Sequence, residues 1–245
     1  MKKALITGAN KGIGFETARQ LLQNGYYVYL GSRTLENGQA AIAKLNAEGL
    51  RHVEAITLDV TDDQSVKAAR EEIGSKTESL DVLINNAGIN GGFPQSSLEA
   101  SVDQFKTVFE TNLYGVVRVT QAFIDLLKKS TEPRIVNVSS SGSSLTLHSD
   151  PTWKYYSHKA ALYPSSKAAL NMYTIDLAYQ LKDTAFKVNA VCPGFVATDF
   201  NGHRGTGTAQ EGGSRIAKYA MIGNDGPTGK FIAEEYNPET GETPW

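Results

Sequence analysis

Short strand-like runs alternate with longer helix-like segments along almost the whole chain, and this alternation restricts the fold more than any other feature. Seven runs rich in β-branched and aromatic residues are predicted as strands, at 4–6, 27–31, 53–58, 82–85, 134–138, 187–191 and 230–233. Apolar residues at helical spacing predict helices at about 13–24, 35–48, 62–76, 101–129, 163–181 and 209–221. In the helix at 163–181, an apolar stripe is expected to face the sheet, formed by Leu170, Tyr173, Leu177 and Leu181. Strands that are separated by helices form parallel sheets covered on both faces, so we expect an α/β fold with a doubly wound parallel sheet of about seven strands.

Bulk properties narrow the class of protein further. No composition break or long linker divides the 245 residues, so we expect one domain over 1–245. A net charge of -2 leaves no electrostatic footprint for nucleic acid or an anionic membrane. The single cysteine, Cys192, cannot form an internal disulfide, and the first apolar run is too short for a signal peptide. We therefore expect a cytoplasmic protein that acts on a small molecule, with Cys192 as a small buried residue.

A glycine turn follows the first predicted strand and opens directly into a helix. It reads Gly8-Ala-Asn10-Lys11-Gly12-Ile13-Gly14. Glycines allow bare backbone to approach a pyrophosphate closely, and the helix N-terminus offers free N–H groups and the positive end of its dipole. An ordinary glycine turn is the alternative, but the flanking strand and helix favour a dinucleotide site of Rossmann type formed by residues 8–14.

The end of the second predicted strand indicates which dinucleotide is bound. A carboxylate at this point would accept hydrogen bonds from a ribose 2'-hydroxyl and repel a 2'-phosphate. The chain instead has Gly31-Ser-Arg33, with no acidic residue before Glu36. Arg33 offers a planar fork that matches phosphate, and Lys11 adds a second cation. The sequence therefore favours NADP(H) over NAD(H).

Two tyrosine–lysine pairs have the spacing of an acid/base pair on one helix face. Tyr163 precedes Lys167 by four residues, and Tyr155 precedes Lys159 by four. A neighbouring ammonium lowers the pKa of a phenol and makes it a better proton donor near neutral pH. Proline is tolerated in the first turn of a helix but not in its interior, so Pro164 places the helix start near Tyr163 and leaves Tyr155 in a loop or separate turn. This favours Tyr163 and Lys167.

Six motifs, taken together and in this order, resemble the short-chain dehydrogenase/reductase family, and the likeness covers nearly the whole chain. They are Thr7-Gly-x3-Gly-Ile-Gly14, Asn85-Asn-Ala-Gly88, Asn112, Asn137-Val-Ser-Ser140, Tyr163-x3-Lys167 and Pro193-Gly194. The glycine-loop residues 8–11, Ser32-Arg33 and the segment 225–231 look most like the NADPH-dependent carbonyl reductase branch of that family.

The resemblance implies a role for each matching residue. Tyr163 would be the general acid or base, Lys167 would bind the nicotinamide ribose, and Ser140 would hold the substrate oxygen, although Ser139 and Ser141 are close alternatives. Asn112 would hold a water that links Lys167 to solvent. The remaining matches would contact the cofactor: Asp59, Val60, Asn86, Ala87, Gly88, Pro193, Val196 and Thr198.

The activity that the resemblance implies is NADPH-dependent reduction of a ketone or aldehyde, or the reverse oxidation of an alcohol. An NAD-linked dehydrogenase of a sugar or secondary alcohol is one alternative, and a non-catalytic NADP(H) sensor is another. Dimers and tetramers are common in the family through the helices that here correspond to 101–129 and 163–181. We therefore expect a homodimer or homotetramer, with a monomer as the alternative.

Two further segments are predicted to shape the substrate site. The loop at about 195–222, rich in Gly and Thr at its start, is a candidate lid. Residues 145–159 form an insertion that contains Trp153, Tyr155, Tyr156 and His158, either as an aromatic wall over the cleft or as cover for a local core or interface. His148, His158 and His203 match no standard spacing of metal ligands, so no metal site is expected.

Overall fold

Seven parallel strands form one sheet in the order β3-β2-β1-β4-β5-β6-β7. The computed structural model describes residues 1–245. The strands are β1 (Lys3–Ile6), β2 (Tyr27–Ser32), β3 (Val53–Thr57), β4 (Val82–Asn85), β5 (Arg134–Val138), β6 (Lys187–Val191) and β7 (Lys230–Ile232). From β1 the chain moves towards one edge of the sheet, and from β4 towards the other. The crevice at the carboxyl ends of β1 and β4 is therefore the topological switch point, where α/β sheets bind ligands.

Eight α-helices connect and cover the strands. They are α1 (Gly12–Gln23), α2 (Leu35–Ala47), α3 (Asp63–Lys76), α4 (Val102–Phe109), α5 (Gly115–Leu127), α6 (Leu145–Ser149), α7 (Leu162–Gln180) and α8 (Ala209–Ala220). Side-chain caps begin several of them, for example Asp62 at α3 and the reciprocal Ser101–Gln104 pair at α4. None of the helices has the length and apolar character needed to cross a membrane.

Two apolar cores lie on opposite faces of the sheet. Alternate residues of one strand supply both, since side chains point to opposite faces in turn: Ala4 and Ile6 join the core under α1, α2 and α8, and Leu5 joins the core under α3, α5 and α7. All three are fully buried. Burial on both faces explains why the central strands read as uninterrupted apolar runs.

The predicted doubly wound fold is confirmed, and the differences lie within elements. The prediction of one helix over 101–129 was wrong at its centre, where a five-residue π-helical turn (Glu110–Tyr114) separates α4 from α5. Such turns are rare and occur mostly at functional sites, and this one contains Asn112. Helix α6 was not predicted, because it lies inside the insertion 145–159 and has only five residues.

Candidate active site

The glycine loop lies at the switch point and keeps its backbone accessible. Gly8 and Gly12 have φ values of +62° and +58°, a region that favours glycine. A Cβ on Gly14 would lie 2.5 Å from Nδ2 of Asn86, so the helix start can approach the next loop only without a side chain. No side chain caps α1, which leaves the N–H groups of its first turn free. This geometry suits an anionic ligand.

Hydrogen bonds fasten the glycine loop to the segment after β4. Nδ2 of Asn86 donates to the carbonyl oxygens of Thr7 (2.9 Å) and Gly8 (3.0 Å). The Thr7 hydroxyl in turn accepts the N–H groups of Asn86 and Ala87, each at 3.0 Å. In the structure Asn86 therefore braces the loop, a role that the family pattern did not reveal.

The two predicted phosphate-binding cations have different surroundings. Arg33, just beyond β2, is exposed and forms no ion pair with any residue of the chain. Lys11 is also exposed, but its Nζ lies 2.9 Å from Oδ2 of Asp199, on the far side of the crevice. Asp59 uses one carboxylate oxygen to accept from the N–H and hydroxyl of Thr61, at 2.9 and 2.8 Å. Arg33 is thus the free cation at this end.

The remaining predicted cofactor residues surround the same crevice. Ile13 packs on the core below α1, and Val60 is a buried residue of the loop after β3. Asn10, Ala87 and Gly88 are half-buried at the mouth. Val196 and Thr198 are largely buried on the opposite wall, and the carbonyl of Pro193 accepts a hydrogen bond from Nη1 of Arg215 at 2.6 Å.

Tyr163 and Lys167 lie in the first turns of α7, beside the end of β5. Lys167 is only 2% exposed, and its Nζ donates to the carbonyl of Val138 at 2.8 Å. Burial lowers the pKa of Lys167 to about 8, because the ammonium is removed from water without a carboxylate partner. Its Nζ lies 5.8 Å from the centroid of the Tyr163 ring.

The Tyr163 phenol is held in its neutral form. Burial is the main cause that raises its pKa, and nearby Cys192 acts in the same direction, whereas a hydrogen bond with Ser140 lowers it. The charge of Lys167 is not among these causes. From the sequence, the Lys167 ammonium was expected to lower the pKa of Tyr163, but in the structure burial raises this pKa instead. A neutral phenol is the form that can donate a proton.

Of the three adjacent serines, Ser140 is the one oriented towards Tyr163. Its Oγ accepts the N–H of Gly142 at 3.2 Å and contacts the phenol. The Ser139 hydroxyl points away and donates to Asn171 at 2.6 Å. Ser141 faces the thiol of Cys192, which is buried, as expected, with its pKa raised by that burial. The geometry thus favours Ser140 among the alternatives.

Asn112 uses its whole side chain to join three segments. Its Oδ1 accepts the N–H of Ile89, and its Nδ2 donates to the carbonyl of Ile89 and to the hydroxyl of Ser166, each at 2.9 Å. Both Asn112 Oδ1 and Lys167 Nζ border Gly88. Asn112 therefore lies next to the lysine, and within the protein its amide holds the loop after β4 against α7.

The loop after β6 closes over the cleft. A short 3₁₀ turn, Asp199–Asn201, carries Phe200, whose ring lies 5.1 Å from that of Tyr163 in an edge-on arrangement. Nδ2 of Asn90 donates to the carbonyl of Phe200 at 2.6 Å, and Asp199 pairs with Lys11. The predicted lid therefore contacts the glycine loop, the loop after β4 and the tyrosine.

The rival pair in the insertion does not form an acid/base couple. Residues 151–157 form turns, and the Tyr155 hydroxyl lies 3.0 Å from Oε1 of Glu235. Lys159 donates to the carbonyl of His148 and lies over the ring of Tyr156. Because the two side chains have separate partners, the lysine cannot influence the phenol as a helical neighbour would.

The aromatic residues of the insertion have mixed surroundings. Trp153 is buried against His148, at 5.2 Å between ring centroids, while Tyr156 and His158 remain exposed. Tyr155 contacts Phe195 of the lid. A cavity of about 270 Å³ opens between the insertion and the C-terminal segment, lined by Ser141, Asp150, Thr152, Trp153, Lys154, Tyr155, Glu235 and Tyr236. The insertion therefore supplies both local core and part of a wall beside Ser141.

Several residues at the site have no signal in the sequence. Asp199 and Phe200 lie in the predicted lid, and Glu235 lies after β7, where no site residue was predicted. The direction of a loop side chain depends on tertiary packing. Asn171 does carry a signal, since it lies one helical turn beyond Lys167 on the same face. It was missed because the buried face of this helix was predicted to be the apolar stripe through Leu170.

Comparison with known proteins adds evidence that geometry cannot provide. The sequence model of a family described as "short chain dehydrogenase" matches residues 2–208. A short-chain dehydrogenase of Penicillium roqueforti is 36% identical over 238 residues, covering 94% of this chain and 93% of that protein. The (+)-neomenthol dehydrogenase of Capsicum annuum is 33% identical over 299 residues, covering 94% of each.

The fold also matches solved structures. An NADPH-bound carbonyl reductase from chicken fatty liver superposes with a TM-score of 0.84, at 26% identity, covering 100% of this chain and 99% of that one. The agreement extends from the glycine loop to the C-terminal strand.

Proposed function

Because the chain belongs to the short-chain dehydrogenase family, we propose that it is an NADPH-dependent oxidoreductase that reduces a ketone or aldehyde to an alcohol and catalyses the reverse oxidation. The names of its relatives describe the two directions of this chemistry, a dehydrogenase of neomenthol and a carbonyl reductase. One observation carries the proposal: a neutral phenol and a serine hydroxyl contact each other at the carboxyl end of the sheet, with a buried ammonium behind them.

The crevice at the switch point fits a dinucleotide with an additional phosphate. The uncapped start of α1 would hold the pyrophosphate, and Arg33, which is exposed and unpaired, would hold the 2'-phosphate. Lys11 would contribute once it separates from Asp199. When bound, the reduced nicotinamide supplies the hydride, while the protein supplies position and polarity.

Ser140 and Tyr163 would stabilise the charge that develops on the substrate oxygen. Negative charge grows there as the carbonyl carbon is reduced, so hydroxyl groups aimed at this oxygen bind the transition state more tightly than the ground state. Tyr163 donates its proton to the oxygen, and Ser140 holds the oxygen by a hydrogen bond. The neutral phenol that burial maintains is the form that this direction requires.

Lys167 would stabilise the phenolate that remains after proton transfer. One ammonium hydrogen is held by the Val138 carbonyl, which fixes the orientation of the group and leaves the others for the cleft. With a pKa of about 8 the lysine is largely charged at neutral pH. Asn112 holds the neighbouring loop in place and, as the resemblance implies, would position a water beside the lysine.

Replacement of Tyr163 tests the function. We predict that Tyr163→Phe lowers kcat for NADPH oxidation, with a panel of ketones and aldehydes, by roughly 10²–10⁴-fold, the usual contribution of a general acid. Tyr155→Phe, the matched control, should stay within about threefold of the wild type, because its hydroxyl contacts Glu235 instead of Ser140. Near wild-type turnover in Tyr163→Phe would refute the assignment. Tight NADPH binding without activity on any carbonyl would instead favour the sensor.

We also propose a cytoplasmic location and a homodimer or homotetramer. The single cysteine is buried and unpaired, in keeping with a reducing compartment. The outward faces of α5 and α7 leave a groove, and Met172 and Tyr179 on α7 are well exposed. These exposed apolar side chains support association through the two helices, as expected from the sequence.

A further inference from the structure

Helix α7 presents a polar stripe to the sheet where a covering helix would ordinarily present an apolar one. The sequence predicted Leu170, Tyr173, Leu177 and Leu181 as the buried stripe, but of these only Leu170 is fully buried. The buried polar residues of the helix are Ser166, Lys167, Asn171 and Thr174. Burial of polar groups is unfavourable unless each has a hydrogen-bond partner, so each residue of this stripe requires one.

The partners of Lys167, Asn171 and Thr174 lie on three consecutive residues at the end of β5 and just beyond it. Thr174 accepts from Nδ2 of Asn137 at 2.9 Å, and Lys167 donates to the carbonyl of Val138 at 2.8 Å. Asn171, between them on the helix, accepts from the hydroxyl of Ser139 at 2.6 Å. The helix that carries Tyr163 is therefore fixed, residue by residue, to the strand end that leads into Ser140.

Asn171 also reaches past Ser140 to the other side of its loop. Its Nδ2 donates to Oγ of Ser143 at 2.9 Å, and this hydroxyl donates to the carbonyl oxygen of Ser140 at 2.6 Å. Asn171 thus holds the residue before Ser140 with its oxygen and the residue three beyond it with its nitrogen. The Ser139 and Ser143 Oγ atoms also lie 3.2 Å apart. With the Ser139 hydrogen on Asn171 and the Ser143 hydrogen on the Ser140 carbonyl, each hydroxyl hydrogen is used once, at the shorter of its contacts.

We propose that Asn171 is a positioning residue that sets the Ser140 hydroxyl against the Tyr163 phenol. The inference rests on the proposed function, because it assigns Ser140 and Tyr163 to one reacting oxygen. Asn171, Ser139 and Ser143 are each at most 4% exposed, so water cannot replace a lost bond without a local rearrangement. Misplacement of a catalytic group by about 1 Å is enough to cost up to about 10²-fold in rate.

A double-mutant cycle with Ser140 tests the proposal. Asn171→Leu should lower kcat roughly 10–100-fold and leave the Kd for NADPH, measured by fluorescence titration, within about threefold. In the Ser140→Ala background, the same substitution should change the remaining single-turnover rate by less than about twofold, because no serine hydroxyl is left to position. Equal factors in the two backgrounds would overturn the proposal, since they would mean a general structural effect.

Thr174→Val is the matched control on the same stripe. It removes a buried hydrogen bond to Asn137 one turn further along α7, away from Ser140. We expect it to lower Tm to an extent similar to Asn171→Leu, with kcat within about threefold of the wild type. If both variants lowered kcat by the same factor, loss of stability would explain the result and the positioning role would be refuted.

A second variant covers the case in which Asn171→Leu does not fold. Ser143→Ala removes only the hydroxyl that links Asn171 to the Ser140 carbonyl, and the same cycle with Ser140→Ala applies. Failure of the proposed function is a separate outcome: the wild-type protein would then oxidise no NADPH with any carbonyl. The positioning role fails only if the wild type is active and the cycle is additive.

Discussion

At the residue scale, Lys167 is unusual because it is a buried cation without an acidic partner. Its single hydrogen-bond acceptor in the protein is the backbone carbonyl of Val138. A charged group buried without an acidic partner destabilises the fold, and this cost makes its titration measurable as protein stability.

The sign of the effect follows from proton binding. Burial lowers the pKa of Lys167 from 10.5 to about 8, so between these values the unfolded chain binds more protons than the folded protein. Stability contributed by this residue therefore rises with pH across that window. Relative to Lys167→Met, the free energy of unfolding of the wild type should increase by on the order of 2 kcal/mol from pH 7.5 to 9.5. Urea denaturation at the two pH values measures this, and a constant difference would contradict it.

Arg33 gives the second prediction at this scale. Arg33→Ala should raise the Kd for NADPH roughly 10–100-fold, the loss of hydrogen bonds to a charged phosphate, and change the Kd for NADH by less than about threefold. Arg51→Ala is the control, because Arg51 is also exposed but precedes β3, at the opposite end of the sheet. Fluorescence titration with the two cofactors distinguishes the cases. An equal loss for NADH and NADPH would refute the 2'-phosphate contact.

Sequence reasoning worked best where a residue type is tied to backbone geometry or to a fixed helical spacing. The glycine turn and the pair Tyr163–Lys167 are of this kind, and the structure brings them to one crevice. It worked least well for Asp199, Phe200 and Asn86, whose partners are distant in sequence. No local pattern specifies which loop residue meets Lys11 or Tyr163, since that depends on how β6 and β1 are placed in three dimensions.

At the element scale, the lid is joined to the glycine loop by one exposed ion pair, between Lys11 and Asp199, and to the tyrosine by Phe200. His203 also contacts Asp199, at 3.0 Å from Oδ1. An exposed ion pair is weak, so the turn that carries Asp199 can separate from the glycine loop at little cost. Helix α8, which the predicted lid also included, is instead packed in the core beside α1. The Asp199 carboxylate competes with a phosphate for Lys11.

Removal of this carboxylate should therefore strengthen cofactor binding. We predict that Asp199→Asn lowers the Kd for NADPH by about two- to fivefold at low ionic strength, within the range of surface ion pairs, and that 0.5 M salt reduces the difference. Lys11→Met should raise the Kd. Glu36→Gln, an exposed acid outside the lid, should have less effect. Weaker binding in Asp199→Asn would show that the ion pair serves mainly to hold the lid in place.

Predictions of elements were accurate at strands and weaker in helices. The seven strands begin where predicted or one residue earlier, since short apolar runs bounded by turns leave few alternatives. The helix over 101–129 was predicted as continuous because a π-helical turn changes the spacing by only one residue. The stripe of α7 was predicted as apolar, and Leu170, Leu177 and Leu181 do pack on the core. Its polar members were missed because hydrophobic periodicity assumes an apolar sheet, whereas β5 contains Asn137 and leads directly into Ser139 and Ser140.

At the scale of the whole molecule, one sheet supports two cores, and this predicts a single cooperative unfolding transition. Phe123→Ala, in the core under α5, should cost about 3–5 kcal/mol, and Leu21→Ala, in the core under α1, about 2–5 kcal/mol. Because β1 contributes to both cores, each substitution should lower the same transition. Leu98→Ala, at an exposed position, should change stability by less than about 0.5 kcal/mol.

The measurement is urea unfolding followed by far-ultraviolet circular dichroism and by tryptophan fluorescence. Coincident curves in both core variants would agree with the single domain expected over 1–245. Two separate transitions, of which Leu21→Ala shifts only one, would contradict the prediction. They would show that the chain contains independently stable parts.

The strand order has a consequence for how the protein is made on the ribosome. After β3, β2 and β1 are in place, β4 adds to the free edge of β1, and every later strand adds to the one synthesised just before it. The nascent chain therefore never has to insert a strand into a completed sheet. The half that carries the glycine loop is fully synthesised while Tyr163 and Lys167 have yet to emerge, so the phosphate-binding side of the crevice can form before the proton donor is added. The opposite wall, with Val196 and Thr198, is synthesised last.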